Sequence, residues 1–327
     1  MADVVELGKI TCPSGQLVLT DGGYLSLWSG DRRPEDVPAR PGPAADMEIV
    51  GPDASAAARS FGRQPGTRLY DVPAHGVEEI TDAFAKHSKK AGLDAGLQTM
   101  PYQVPHRERV RHAITSGDHS FLNFGVPVIS VGGISTSSAF RVTATAGDWG
   151  WTQIRIVLST ASTAQTRELG DLRVDHARLV IGDADALSSW VHEDSIDGLV
   201  DVVFWGRDEA QLAVELDAPR LTDPGDVGYG WVDLPFQDAL DRARDLESRR
   251  RSSRQVMFNF DFRPHSHHWQ VMAKVRADEH EAGTISVGGA DIMMAMTSVG
   301  DGEFPVQLEL DAAGTPTAIV VVIDTGA

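Results

Sequence analysis

The chain has 327 residues, with 29 Lys and Arg against 47 Asp and Glu, a formal net charge of −18 and a single cysteine. A hydrophobic content of 42% with 23% charged residues excludes wholesale disorder, and this length can bury a large core without disulfide or metal staples. The charge repels phosphate and anionic lipid, so no nucleic-acid or membrane partner is expected, and Cys12 alone excludes an internal disulfide or a multi-cysteine zinc site.

Met1–Gly8 has neither the basic start nor the apolar stretch of a signal peptide. The longest apolar run, Ala318–Ile323, is far short of a bilayer span, so a soluble, cytoplasmic protein is expected. A first strand is predicted over Gln16–Leu19, leading to Asp21 and a segment that ends at Trp28. Ser29–Ala45, with Pro34, Pro38, Pro41 and Pro43, is expected to be the least ordered stretch. A strand over Met47–Val50 then meets Gly51-Pro52-Asp53, with Asp53 placed to cap a helix over Ala54–Phe61. A third strand, Arg68–Tyr70, enters Asp71-Val72-Pro73 and a longer helix with Val77, Ile80 and Phe84 on one face. Strands follow over Val126–Val131, Phe140–Ala144 and Gln153–Leu158, rich in β-branched residues. Ala161–Gly170, rich in Ser, Thr and Ala, reads as a linker.

Beyond that segment the string recurs. Leu17–Trp28 and Leu179–Trp190 share six of twelve residues, Asp21/Asp183 and Trp28/Trp190 among them. Weaker echoes keep the same order: Asp46, Gly51 and Asp53 with Asp201, Gly206 and Asp208, then Asp71-Val72-Pro73 with Asp233-Leu234-Pro235. Pro105-His106 pairs with Pro264-His265, Ile129–Gly133 with Ile285–Gly289, and Gly147-Asp148 with Gly300-Asp301. Second-half strands are predicted over Arg178–Ile181, Val202–Trp205, Tyr229–Val232, Thr284–Val287, Ile292–Thr297, Pro305–Leu310 and Thr317–Ile323. Glu209–Leu216 is a helix capped by Asp208, and Phe236, Ala239, Leu240, Ala243 and Leu246 mark the apolar face of another. The sequence therefore predicts an α+β fold built as a tandem duplication, residues 1–165 and 166–327, in a pseudo-two-fold arrangement with a β-rich end to each copy. The first copy holds 15 basic and 17 acidic residues and the second 14 and 30, so the acidity belongs to the second.

Arg242, Arg244, Arg249, Arg250, Arg251 and Arg254 form a basic cluster that fits a solvated helix end. Three imidazoles in four residues, His265, His267 and His268, are the metal-ligand candidates, with a carboxylate such as Asp261 or Glu279 supplied from elsewhere. A plain helix start after Pro264, with Trp269, Met272 and Val275 as its buried stripe, is the competing expectation. His112, Asp118 and His119 are a candidate acid–base group, and His192, Glu193 and Asp194 with Asp197 and Asp201 a hard-cation candidate. Cys12 is a candidate nucleophile or a buried filler; Trp149 and Trp151 suit an aromatic pocket, an interface or the core. No G-x-G-x-x-G, Walker A or G-x-S-x-G string occurs, so no cofactor and no catalytic set are assigned.

Pro13-Ser14-Gly15-Gln16-Leu17 running to Asp21, Gly300–Val306 (GDGEFPV) and Asp311-Ala312-Ala313-Gly314 resemble a bacterial family classed as a domain of unknown function. An arginine-to-lysine ratio of 24 to 5 agrees with high-GC bacterial coding. The first copy departs from the family string with Gly147-Asp148-Trp149-Gly150-Trp151. The resemblance brings no assigned activity. The reading that results is a pseudo-dimer binding a small molecule or protein at the seam between copies. A metal-dependent hydrolase using His265, His267 and His268 is the alternative, and a binder of a basic partner through the acidic second copy a third.

Overall fold

The computed structural model describes residues 3–222, 225, 227–252 and 256–323, so Arg254 of the basic cluster lies outside it. The chain is mixed α+β, 27% helix and 40% strand. It divides into two compact units, residues 1–190 with 286–327, and residues 191–285.

The first unit opens with β1 (Val4–Thr11), β2 (Gln16–Asp21), β3 (Ala44–Val50), α1 (Ala54–Phe61), β4 (Arg68–Pro73), α2 (Val77–Ala91) and β5 (Gly96–Thr99). It continues through α3 (His106–Ser116), β6 (Ser120–Asn123), β7 (Val126–Gly132), β8 (Ala139–Gly147), β9 (Gly150–Val157), β10 (Gln165–Val174) and β11 (Arg178–Asp183). The second unit holds β12 (Leu199–Trp205), α4 (Glu209–Leu216), β13 (Tyr229–Pro235), α5 (Phe236–Ser252), β14 (Asn259–Pro264) and α6 (His267–Ala277). β15 (Ala282–Val287) contains the boundary, and β16 (Ala290–Met296), β17 (Gly302–Leu310) and β18 (Pro316–Val322) return to the first unit.

Two large antiparallel sheets form the first unit. One runs β1-β8-β9-β18-β17-β10; the other runs β15-β16-β11-β2-β7-β6, to which this unit contributes Ser286 and Val287 of β15. β1 lies against β16 and β11, and β10 against β7 and β2, so the sheets face one another. Every residue from Leu17 to Asp21 and from Leu179 to Asp183 is buried, so β2 and β11 are covered on both faces, which is why they read as unbroken apolar runs. β8 instead alternates buried with more exposed positions over its first half, as a strand with one wet face does. Within the second sheet Leu19 pairs with Ile181; within the first, Arg155 pairs with Val320. The β1–β8 register slips between Glu6 and Gly8, and the β10–β17 register between Glu168 and Gly170. Both bulges use a glycine at positive φ, 146° at Gly8 and 126° at Gly170.

A smaller sheet, β4-β3-β5, carries α1 and α2 and encloses Met47, Ile49, Leu69, Val72 and Phe84. The second unit is built on β13-β12-β14, with α4 and α5 closing over Val200, Val202, Phe204, Leu212 and Leu246. Among the described residues no helix is long and apolar enough to cross a membrane.

Several local expectations are corrected. Ala161–Gly170 is no linker from Gln165 onward, because that stretch opens β10; its polar side chains are the exposed start of an edge strand. Ser29–Ala45 is anchored: Ser29, Pro34 and Val37 are buried, and Pro34–Asp36 forms a 3-10 turn. Asp53 and Asp208 stand at the helix N-caps without making the capping bond. Their carboxylates accept instead from the amides of Asp94 and Met257, each at 2.8 Å, which fastens each helix start to the entry of β5 or β14. Helix α6 begins at His267, two residues beyond His265, and buries Val271 and Val275.

Candidate cation-binding site

The same backbone device occurs once in each small sheet. In β3–β4 the register slips at Asp46, and opposite it Asp71 takes a left-handed φ of 54°. In β12–β13 the slip falls at Asp201, opposite Asp233 with φ of 55°. Aspartate tolerates this conformation better than most side chains, and the bulge turns the two carboxylates toward one another. The Asp71 amide donates to Asp46 Oδ1 and the Asp233 amide to Asp201 Oδ1, both at 2.9 Å.

The first pair is sealed by Arg109 of α3, with all three side chains 0% exposed. Its guanidinium spans both oxygens of Asp71 (2.5 and 2.9 Å), reaches Asp46 at 3.3 Å, and gives Nε–H to the Val104 carbonyl. It stacks 4.4 Å from the Tyr70 ring. Asp46 also accepts from the Val104 amide (2.6 Å), and Asp71 from the Phe124 amide (3.0 Å) and Gln103 Nε2 (3.0 Å). Burial pushes both carboxyls up; Arg109 overcomes this at Asp71, which ends below the usual range, while Asp46 ends above it. His106, one turn earlier on α3, accepts the Ser29 amide at Nδ1 (2.9 Å), so Nε2–H faces Asn123 Oδ1 (3.0 Å). Burial, with Arg109 adding to it, drives this imidazole down to about 3, so it is neutral.

On the second pair the place of the guanidinium goes to an imidazole. His265 takes that place: its Nδ1 lies 2.9 Å from Asp197 Oδ2, and its Nε2 3.0 Å from Asp201 Oδ1 and 3.8 Å from Asp233 Oδ1. Burial disfavours the charged imidazole, but the bonds to Asp201 and Asp197 outweigh it and hold its pKa above the ordinary value. The His265 bond, with the Leu199 amide, brings Asp197 down to about 2. The group is open, with the Asp233 side chain 70% exposed. Among the described residues the one set of three His, Cys, Asp or Glu with ligand atoms within 4.8 Å of one another is Asp201, Asp233 and His265.

The three candidate histidines take different places. His265 joins the carboxylates, whereas His267 Nδ1 accepts the Val191 amide (2.9 Å), the role His106 plays toward Ser29. His268 stacks on His192 with ring centroids 4.3 Å apart. The carboxylates considered as co-ligands are engaged elsewhere, Asp261 with Arg263 and Glu279 beside His280. Of the hard-cation candidates, Asp197 and Asp201 reach His265, and Glu193 and Asp194 are exposed. Asp118 accepts from Ser116 Oγ (2.6 Å), His119 Nδ1 faces the Ser130 carbonyl and His112 stands on α3, so among the described residues no hydrogen bond joins the His112–Asp118–His119 candidate. Cys12 is buried, and that burial with Asp183 beside it raises its thiol, the opposite of an activated nucleophile. Trp149 is 90% exposed on the β8–β9 turn.

The repeated anchors are structural. Asp21 is buried and accepts from Gly23 N (2.7 Å), Asp175 N (2.6 Å) and His176 Nδ1 (3.1 Å). Asp183, also buried, accepts from Ser14 N and Oγ (both 2.7 Å) and from Asp185 N and Ala186 N (both 2.9 Å). Trp28 stacks 5.0 Å from His106, and Asp301 Oδ1 accepts the Ala177 amide. Sequence reasoning gave Arg109 no role; it placed His265 among the metal candidates and Asp197 and Asp201 among the hard-cation candidates, and only the recurrence of Asp71-Val72-Pro73 as Asp233-Leu234-Pro235 pointed to Asp233. Comparison with protein-family models, with curated proteins and with solved structures found no match.

Proposed function

We propose that the chain is a tandem duplication of one α+β domain, and that it is a binding protein whose second half receives a cationic ligand on Asp201 and Asp233. Support for the duplication comes from the order of elements. β1 to β9 and β10 to β18 follow the same sequence of strands and helices, with α1, α2 and α3 answering to α4, α5 and α6; in this register His106 answers to His267, and the Ile129–Gly133/Ile285–Gly289 and Gly147-Asp148/Gly300-Asp301 matches fall on non-equivalent elements. Each large sheet reads as equivalent strands from its two ends, and the bulges recur at equivalent places. Leu19 and Ile181, counterparts in the repeat, pair directly, as residues on a pseudo-two-fold axis do.

The observation that carries the functional reading is the fate of one carboxylate pair. In the first half it grips an internal guanidinium and is closed; in the second the helix position answering to Arg109 is the exposed Gln270, and the pair faces solvent. The β2–β11 seam is a poorer place for a ligand, because Asp21 and Asp183 are already saturated there by hydrogen bonds from both halves. The hydrolase alternative asks His265, His267 and His268 to share one ion, and the bond from the Val191 amide to His267 argues for His265 alone. The test is a panel of cationic probes (a polyamine, an arginine-rich peptide, divalent ions) followed by thermal shift and calorimetry on the wild type and Asp233→Asn. At least one probe binds the wild type and loses at least ten-fold in affinity in the variant. A panel with no binder, or binders indifferent to Asp233→Asn, refutes the reading.

A further inference from the structure

The ligand atoms at the second carboxylate pair are arranged as a metal site is. Around a first-row divalent ion, bonds of ~2.1 Å put neighbouring ligand atoms ~3 Å apart. His265 Nε2 stands 3.0 Å from Asp201 Oδ1 and 3.8 Å from Asp233 Oδ1, so small side-chain shifts admit an ion between them. The other ring nitrogen is engaged as a metal-binding histidine requires. Nδ1 faces Asp197 Oδ2 at 2.9 Å, so Nδ1–H donates to that carboxylate, and the Nε2 proton that faces Asp201 Oδ1 at 3.0 Å is released to solvent as the ion takes its place, a carboxylate–histidine–metal relay. Asp197 is itself fixed, accepting from the Leu199 amide (2.9 Å) and Ser195 Oγ (3.0 Å).

An independent observation comes from the other half of the molecule, where Asp46 and Asp71 hold the positive charge of Arg109 directly. The same bulge and the same left-handed aspartate place Asp201 and Asp233 for the same task. We infer that Asp201, Asp233 and His265 bind one first-row divalent metal ion, of the manganese or zinc class, with Asp197 orienting His265. Two oxygens and one imidazole nitrogen suit a borderline ion better than calcium, which takes six to eight oxygens. Three protein ligands leave positions for water or for an anionic group of a ligand.

This rests on the reading that the second half receives a cation, and the experiment separates the two. Full-length protein, stripped with chelator, is titrated calorimetrically with MnCl2 and with ZnCl2, and Mn2+ binding is followed in parallel by electron paramagnetic resonance. The expected result is one ion per chain, with affinity falling at least ten-fold in Asp233→Asn and in His265→Gln and about ten-fold in Asp197→Asn. Asp233 is the most telling position, because its exposed side chain can change without disturbing the core. Circular dichroism checks that each variant is folded. If neither ion binds stoichiometrically, or binding survives Asp233→Asn, the metal inference is overturned. If the arginine-rich peptide or the polyamine then binds in an Asp233-dependent way, the broader reading stands; if it does not, both fall.

Discussion

Replacing Arg109, the fourth residue of α3, with glutamine gives α3 the residue that α6 has at its own fourth position, Gln270. The change strands two carboxylates, each 0% exposed, that now share one guanidinium. Breaking a buried ion pair by removing one partner costs about 3–5 kcal/mol, and here the Val104 and Leu122 carbonyls lose a donor as well. For a unit of this size 1 kcal/mol corresponds to roughly 2 °C, so the first unit should melt about 6–10 °C lower at pH 7. The penalty has a sign with pH. Without Arg109, burial, the largest influence on Asp46 and Asp71, is opposed mainly by the backbone amides that still donate to them, so the folded variant takes up protons that the unfolded chain releases above ~4. The gap to wild type should therefore narrow as pH falls from 7 to 5, and adding Asp46→Asn should recover part of it. Urea titrations across that range measure both effects. A cost below ~1 kcal/mol at pH 7 that does not vary with pH would refute the account of this cluster as a charge-neutralised core.

Two further outcomes follow from the same kind of reasoning. Asp183→Asn forces an amide N–H against amides that now donate to a carboxylate, and should cost roughly 2–4 kcal/mol in urea unfolding; a loss under ~1 kcal/mol would mean that the Ser14 and Ala186 bonds contribute little. His106, with its folded pKa depressed to about 3, contributes stability that is complete above the unfolded value of ~6.5 and is lost as pH falls toward 3. That amounts to about 2 kcal/mol by pH 5, so a wild-type stability that His106→Gln leaves equally steep between pH 6.5 and 5 would show that another group is responsible.

Local chemistry was legible in the sequence wherever a residue's neighbours in the chain decide its state. The helices over Ala54–Phe61 and Glu209–Leu216 were predicted to the residue, because turn residues and apolar spacing bound them on both sides. β1 and β10 were missed, since an edge strand needs a partner more than it needs apolar residues, and those partners, β8 and β17, lie more than a hundred residues away. The same distance hid the site. His265 stood out as part of a dense histidine run, yet what distinguishes it from His267 and His268 is a carboxylate 64 residues earlier and another 32 residues earlier. Arg109 resembled any helix-surface arginine in sequence. Its burial follows from two bulged aspartates on another sheet, which no spacing rule along α3 encodes.

The place of β18 in the large sheet has a consequence for how the protein matures in a cell. It sits between β9 and β17, in the middle of six strands, yet its residues leave the ribosome after those of every other strand in that sheet. Until Pro316–Val322 emerge, β9 has a bare edge and the first unit remains an open assembly. At 5–20 residues per second, the ~160 residues after β9 keep that edge exposed for roughly 10–30 s. Nascent chains stalled in that interval are therefore the ones that should seek out chaperones or clump, and a chain cut short before β18 should be insoluble while its helices still form.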